Sequence, residues 1–273
     1  MSSIILEAKS VTRTFGGLKA IDNVDIKVEE GSIRGLIGPN GAGKTTLFNI
    51  ITGIYKPTAG KILFENKEIS NIKPHKIASM GISRTFQNLQ LFNDMTVIDN
   101  IAIAQNMNYP IRVWDSLFRN KNFKKIENSI YQKSNEILEF IGLQDRKNDY
   151  PGNLSYGGQR LLEIGRALAT EPRIILLDEP AAGMNTLEID ELMKMIIKVR
   201  ELGITIVLIE HNMKFAMMLS DYITVLDSGK IIAEGIPKEI QSNIEVIKAY
   251  LGTKKNGTPK VIEKEEHNIA NNS

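Results

Sequence analysis

One run of residues restricts this chain more than any other: Gly38-Pro39-Asn40-Gly41-Ala42-Gly43-Lys44-Thr45-Thr46. The apolar stretch Ile33 to Ile37 comes before it, and Lys44 to Thr52 has helical spacing after it, giving the order strand, glycine loop, helix. The run fits G-x-x-x-x-G-K-[ST]. Its glycines let successive backbone N–H groups turn inward around phosphate oxygens without side-chain clashes. Lys44 adds a point charge for the β- and γ-phosphates. The Thr45 hydroxyl is a Mg²⁺ ligand, and the helix turns its positive end toward the same anion. The expectation is a phosphate-binding loop for a nucleoside triphosphate.

A second strand supports it. Ile174-Ile-Leu-Leu177 is wholly apolar and ends in Asp178 and Glu179. An apolar strand of this kind lies inside a sheet, so a ligand site opens at its end. Asp178 suits a hard cation that wants oxygen ligands. Glu179 is placed to orient and deprotonate an attacking water. A guanine-nucleotide reading is disfavoured, because Asn66-Lys67-Glu68-Ile69 lacks the aspartate of N-K-x-D.

Elsewhere the chain alternates strands and helices. Strands are expected at Ile4–Ala8, Ile21–Val28, Lys61–Phe64 and Ile204–Ile209, with a hairpin Ile223–Leu226 and Lys230–Ala233 around Asp227-Ser-Gly229. Helices are expected within Met95–Gly142, at Gln159–Ala169 and at Glu188–Glu201. All-apolar strands alternating with helices predict an α/β fold with a mainly parallel sheet covered on both sides. The polar residues from Thr253 read as a disordered tail. A formal charge of +2 gives no reason to expect nucleic acid. The absence of cysteine excludes disulfides and thiolate metal sites. The start lacks the layout of a secretory leader, and no apolar run approaches the ~20 residues of a spanning helix. Any membrane role is therefore expected at the surface, through a partner.

Together these motifs resemble the ATP-binding-cassette (ABC) transporter ATPases, from about residue 4 to residue 252. The resemblance implies a P-loop NTPase (RecA-like) core with an antiparallel β subdomain (1–86 and 159–235), an ABC-specific helical subdomain (87–158), an extension (236–252) and a tail (253–273). Phe15 stands where the family stacks an aromatic on adenine. Gln87 stands at the glutamine that senses Mg²⁺ and the membrane partner. His211 stands at the histidine that contacts the γ-phosphate. Leu154-Ser155-Tyr156-Gly157-Gly158 stands at the signature, and Ala182-Gly-Met-Asn185 at the following D-loop. Both depart from the usual pattern. Tyr156 replaces the first signature glycine and Gly158 its glutamine, while Ser155 and Gly157 are retained. The helix expected from Gln159 can still donate to a phosphate; Tyr156 puts the geometry of the loop in question.

Within the family the chain looks most like the ATPases of branched-chain amino acid importers. The matching segments are Phe15-Gly-Gly-Leu-Lys-Ala20, Arg84-Thr-Phe-Gln87, Glu179-Pro-Ala-Ala-Gly-Met-Asn185, Ile209-Glu-His-Asn-Met213 and Val246-Ile-Lys-Ala-Tyr-Leu-Gly252. The stretch Tyr109–Lys133 suits their enlarged helical lobe. The resemblance implies ATP and Mg²⁺, a second ATPase subunit (identical or paralogous), two transmembrane permease subunits, an extracytoplasmic binding protein, and a peripheral place on the cytoplasmic face of the inner membrane. Leu89, Leu91, Phe92 and Met95 are candidate docking residues. A lipopolysaccharide exporter ATPase, a soluble ABC ATPase and a non-enzymatic nucleotide-binding scaffold stay open as alternatives.

Overall fold

The computed structural model describes residues 3–105 and 121–251. The expected tail, and the run Pro110, Ile111, Val113, Trp114, Leu117 and Phe118, lie outside them.

Two sheets enclose the first helix. The smaller is antiparallel: β1 (Ile4–Phe15), β2 (Leu18–Glu29), β4 (Ala59–Phe64) and β5 (Lys67–Glu68), in the order β2-β1-β4-β5. β1 and β2 are longer than the sequence predicts; they run on through register shifts to the turn at Gly16 and Gly17. The larger sheet contains β3 (Ile33–Ile37), β6 (Ile82–Arg84), β7 (Ile174–Asp178), β8 (Thr205–Glu210), β9 (Tyr222–Asp227) and β10 (Lys230–Gly235). Its order is β10-β9-β3-β8-β7-β6, parallel except for the closing β9–β10 hairpin.

Every residue of β3, β7 and β8 is buried, as expected for strands covered on both faces. Side chains alternate between the faces. Ile174, Leu176, Val207 and Ile209 face the smaller sheet and helix α1 (Lys44–Ile51), whose Leu47 and Phe48 fill the space between. Ile175, Leu177, Ile206 and Leu208 face α3 (Val97–Ala104), α4 (Lys121–Phe140), α5 (Tyr156–Ala169), α6 (Thr186–Glu201) and α7 (Met213–Leu219). The short α2 (Pro74–Ser79) precedes β6, while α8 (Pro237–Ser242) and α9 (Ile244–Leu251) pack by β9 and β10.

Two helix starts differ from the sequence expectation, and capping explains both. α5 begins at Tyr156 rather than Gln159, because Ser155 caps it: its Oγ accepts the Gly158 N–H at 3.1 Å. α6 begins at Thr186 rather than Glu188. Asn185 Oδ1 accepts the N–H groups of Leu187 and Glu188, and Glu188 Oε2 accepts that of Asn185, a complete capping box.

Candidate active site

β3 has β8 on one side and β9 on the other, so the chain leaves it where the strand order reverses. In open α/β sheets ligands bind there, beyond the carboxyl ends of the strands. The loop after β3 is shaped by backbone. Gly38, Gly41 and Gly43 have φ of 152°, 80° and 105°. A Cβ on Gly38 would lie 2.0 Å from the Leu226 carbonyl oxygen, and one on Gly43 2.6 Å from that of Ala20. Only glycine fits either position. Gly43 is also the N-cap of α1 and gives no side-chain cap, so the first-turn N–H groups are left for an anion. Lys44 is buried beside them and donates to the carbonyls of Gly38 at 2.7 Å and Pro39 at 3.0 Å. Burial pulls its ammonium below the usual lysine range, against the opposing pull of Glu179, Asp178 and Glu210.

A cleft of about 660 Å³ opens over this loop. It brings together Asn40 to Thr46, Gln87, Glu179 and His211. Glu179, just past β7, has a left-handed φ of 48°, a strained choice for a non-glycine residue that is common at functional sites. Its carboxylate accepts the Gln87 side-chain amide at 2.8 Å, and His211 Nδ1 stands 3.6 Å away. Asp178 lies behind it at the strand end, 2% exposed. Arg84 Nη2 donates to it at 2.8 Å and Arg84 Nη1 to Asn49 at 2.6 Å. Burial pushes the Asp178 carboxyl up, and Arg84 draws it back down. Thr45 and Gln87 line the cleft and carry oxygen donors of the kind Mg²⁺ takes, while the Asp178 carboxylate, of the same kind, lies behind it on Arg84.

Phe15 and the signature residues do not line this cleft. Phe15 ends β1 half-exposed, edge-on to Tyr55 at 5.1 Å between ring centres and under the Arg13 guanidinium at 4.5 Å. Ser155, Gly157 and Gly158 form the first turn of α5, where the Gly157 N–H donates to Glu188 Oε1 at 3.1 Å. Tyr156 lies over the D-loop: a Cβ on Gly183 would be 3.6 Å from its ring. Of the four expected docking residues only Phe92 lines a second, mainly apolar cavity of about 410 Å³, with Phe86, Gln90 and Arg166; Leu91 packs into the helical core.

Sequence reasoning missed three side chains. Arg84 holds Asp178. Glu210, fully buried, accepts the N–H groups of Ala181 and Asn212 behind the cleft. Glu188 joins the α6 cap to the signature turn. Only Glu188 had a readable signal, the capping-box spacing Asn185-x-x-Glu188.

Known proteins resemble the chain along most of its length. A family profile described as "ABC transporter" matches residues 21–182, and one described as "Branched-chain amino acid ATP-binding cassette transporter" matches residues 230–255. The high-affinity branched-chain amino acid transport ATP-binding protein BraF of Pseudomonas aeruginosa is 46% identical over 253 residues, 92% of this chain and 99% of its own length. A crystal structure of an ATP-binding cassette of an ABC transporter in its ADP conformation is 37% identical, with a TM-score of 0.81, and the match covers 92% of this chain and 100% of that one. A dimeric cassette in a post-hydrolysis state, bound to ADP and Pi, is 26% identical with a TM-score of 0.72, over 85% of this chain and 99% of that one. No helix among the described residues is long and apolar enough to cross a membrane.

Proposed function

The chain belongs to the ABC transporter family, and from that premise we propose that it is the ATPase of an importer of branched-chain amino acids. Binding and hydrolysis of ATP to power a membrane transporter come with the family; the cargo is the inference. The observation that carries it is the similarity to BraF along nearly the whole chain, joined by the profile match at residues 230–255.

In this reading ATP enters the cleft with its phosphates on the N–H groups of residues 41–46 and its adenine against Phe15. Lys44 exchanges its carbonyl partners for phosphate oxygens. Thr45, Gln87 and Asp178 would hold Mg²⁺, which supplies charge neutralisation at the phosphates. Glu179 orients the attacking water and takes its proton, while His211 contacts the γ-phosphate. The γ-phosphate still needs donors that one chain does not place over the cleft. The first turn of α5 in a second ATPase subunit supplies them, so ATP holds the closed dimer together and hydrolysis releases it. The part of the chain that carries α3, α4 and the signature turn docks against two transmembrane subunits at the cytoplasmic face of the membrane. A binding protein on the other side delivers the cargo.

The test is uptake of labelled leucine by vesicles carrying the chain with its membrane subunits and binding protein. Leucine uptake driven by enclosed ATP and lost in Lys44→Ala supports the proposal. ATP hydrolysis coupled to outward lipopolysaccharide movement instead would reassign the cargo and leave the ATPase in place.

A further inference from the structure

One buried side chain joins the signature turn to Gln87, and it lines neither the nucleotide cleft nor the end of β7. Arg160 sits one turn into α5 and is 2% exposed. Its Nη1 donates to the Phe86 carbonyl at 3.0 Å and to Glu163 Oε2 at 3.0 Å. Its Nη2 donates to the Gln87 carbonyl at 2.7 Å and to the Tyr156 hydroxyl at 3.0 Å. Glu163, a turn further on, closes the ring by accepting the Phe86 N–H on Oε1 at 3.1 Å. One helix thus holds the N–H and C=O of Phe86 and the C=O of Gln87, while the Gln87 side chain reaches Glu179.

A buried ion pair loses hydration on both partners and is weak evidence for stability in itself. Here the pair is directed at two peptide groups in a segment that has no helix or strand to satisfy them. A guanidinium is planar, so bonds to two successive carbonyls fix the orientation of the peptide as well as its distance. Tyr156 shares the same fork, and the glycine usual at its position could not.

We infer that Tyr156, Arg160 and Glu163 are positioning residues that clamp the Phe86–Gln87 segment to the first turn of α5, so that Gln87 and the signature turn move as one piece. This rests on the ATPase reading. In the dimer of that reading, Gln87 serves its own chain's nucleotide and the signature turn serves the partner's, so the clamp links the two sites mechanically. The tyrosine in the signature is then a working part of the clamp.

The experiment compares the full-length chain with Arg160→Lys, Glu163→Gln and Tyr156→Phe, by amide hydrogen exchange and by ATP turnover. Loss of charge-assisted bonds is expected to speed exchange about tenfold in Arg160→Lys, in segments 86–91 and 156–160 together. Segment 38–47 is expected to stay unchanged. Turnover should fall about tenfold while nucleotide Kd stays within about twofold, since none of the three lines the cleft. Tyr156→Phe removes a single hydroxyl on a half-exposed ring and should show a smaller change, about threefold, in the same two segments. It carries the test if Arg160→Lys fails to fold. Faster exchange along the whole of α5 with segment 86–91 unmoved overturns the clamp, and so does a parallel loss of Kd and turnover. A wild-type chain that releases no phosphate from MgATP would remove the ATPase reading instead, and the exchange result would still decide whether the clamp exists.

Discussion

The phosphate loop and the signature turn both end in the start of a helix, but they are held in shape by opposite means. Around Gly38 and Gly43 the constraint is backbone against backbone: left-handed φ values and carbonyls of Leu226 and Ala20 where a side chain would begin. Around Ser155 to Gly158 the constraint is side chains. Ser155 caps the helix, Glu188 accepts the Gly157 N–H, and Arg160 donates to the Tyr156 hydroxyl. A backbone constraint forbids substitution, because no neighbour can yield. A side-chain constraint can be rebuilt with different residues, and this chain has done so by setting Tyr156 on Gly183.

On the proposed reading the phosphate loop belongs to the chain's own chemistry and the signature turn supplies anion contacts to a partner. The largest consequence is at Glu179. Glu179→Gln keeps the Gln87 contact in reach but removes the base, and turnover should fall by about 10³-fold, within the range of a lost general base. ATP should still bind and should now hold the dimer, read by light scattering. Hydrolysis near the wild-type rate would move the base elsewhere.

Paired alanines test the constraint itself. Gly43→Ala forces φ of 105° on a Cβ that meets the Ala20 oxygen and Ile21, and should cost about 3 kcal/mol along with nucleotide binding. In Gly157→Ala the nearest neighbour of the new Cβ is the Glu188 side chain, at 3.0 Å from its Cγ. That chain can give by a few tenths of an ångström while keeping its bonds to the Gly157 and Asn185 N–H groups, and alanine favours the helix, so the expected change is below about 1 kcal/mol. Equal losses in urea melts would erase the distinction.

The same contrast explains what could be read from the sequence. The loop at Gly38 to Thr45, the apolar strand before Asp178 and the parallel sheet were legible, because backbone geometry and burial leave few residue types able to serve. The start of α5 was misplaced by a turn: glycines at 157 and 158 read as loop, while the cap that makes them helical depends on Ser155. Arg84, Glu210 and the Arg160 clamp were illegible. Their partners Asp178, Ala181 and Phe86 are brought near by the fold, and sequence spacing carries no trace of it. Leu91, a candidate docking residue, is partly buried against the helical core, and its place in a loop did not announce which side it faces.

A smaller effect is expected at the signature cap. Ser155→Ala loses the bond to the Gly158 N–H and should cost about 1 kcal/mol, confined to the start of α5 because Glu188 still holds Gly157. Loss of the whole of α5, seen as a proportionate drop in helical circular dichroism, would mean that the turn has no second support.

The last effect concerns Glu210, behind the acidic strand, and shows only as a dependence on pH. Burial pushes its carboxyl above the usual value of 4.5, opposed by the N–H groups of Ala181 and Asn212 and by His211. A raised carboxyl pKa means that the folded chain binds this proton more tightly than the unfolded chain. Between the ordinary and the raised value, stability therefore falls as pH rises, by about 1.4 kcal/mol for each unit of elevation. Glu210→Gln has no such proton. Its stability relative to the wild type should climb from pH 4.5 upward and level off above the raised value, whatever offset the altered hydrogen bonds add. Contributions from the other carboxylates cancel in that difference as far as they are independent of Glu210. Parallel curves for the two proteins in urea melts across pH 4.5 to 8 would show that the Glu210 carboxylate, though walled off from solvent, is held by its two N–H donors as well as water would hold it. The burial penalty assigned to this side of the site would then be absent.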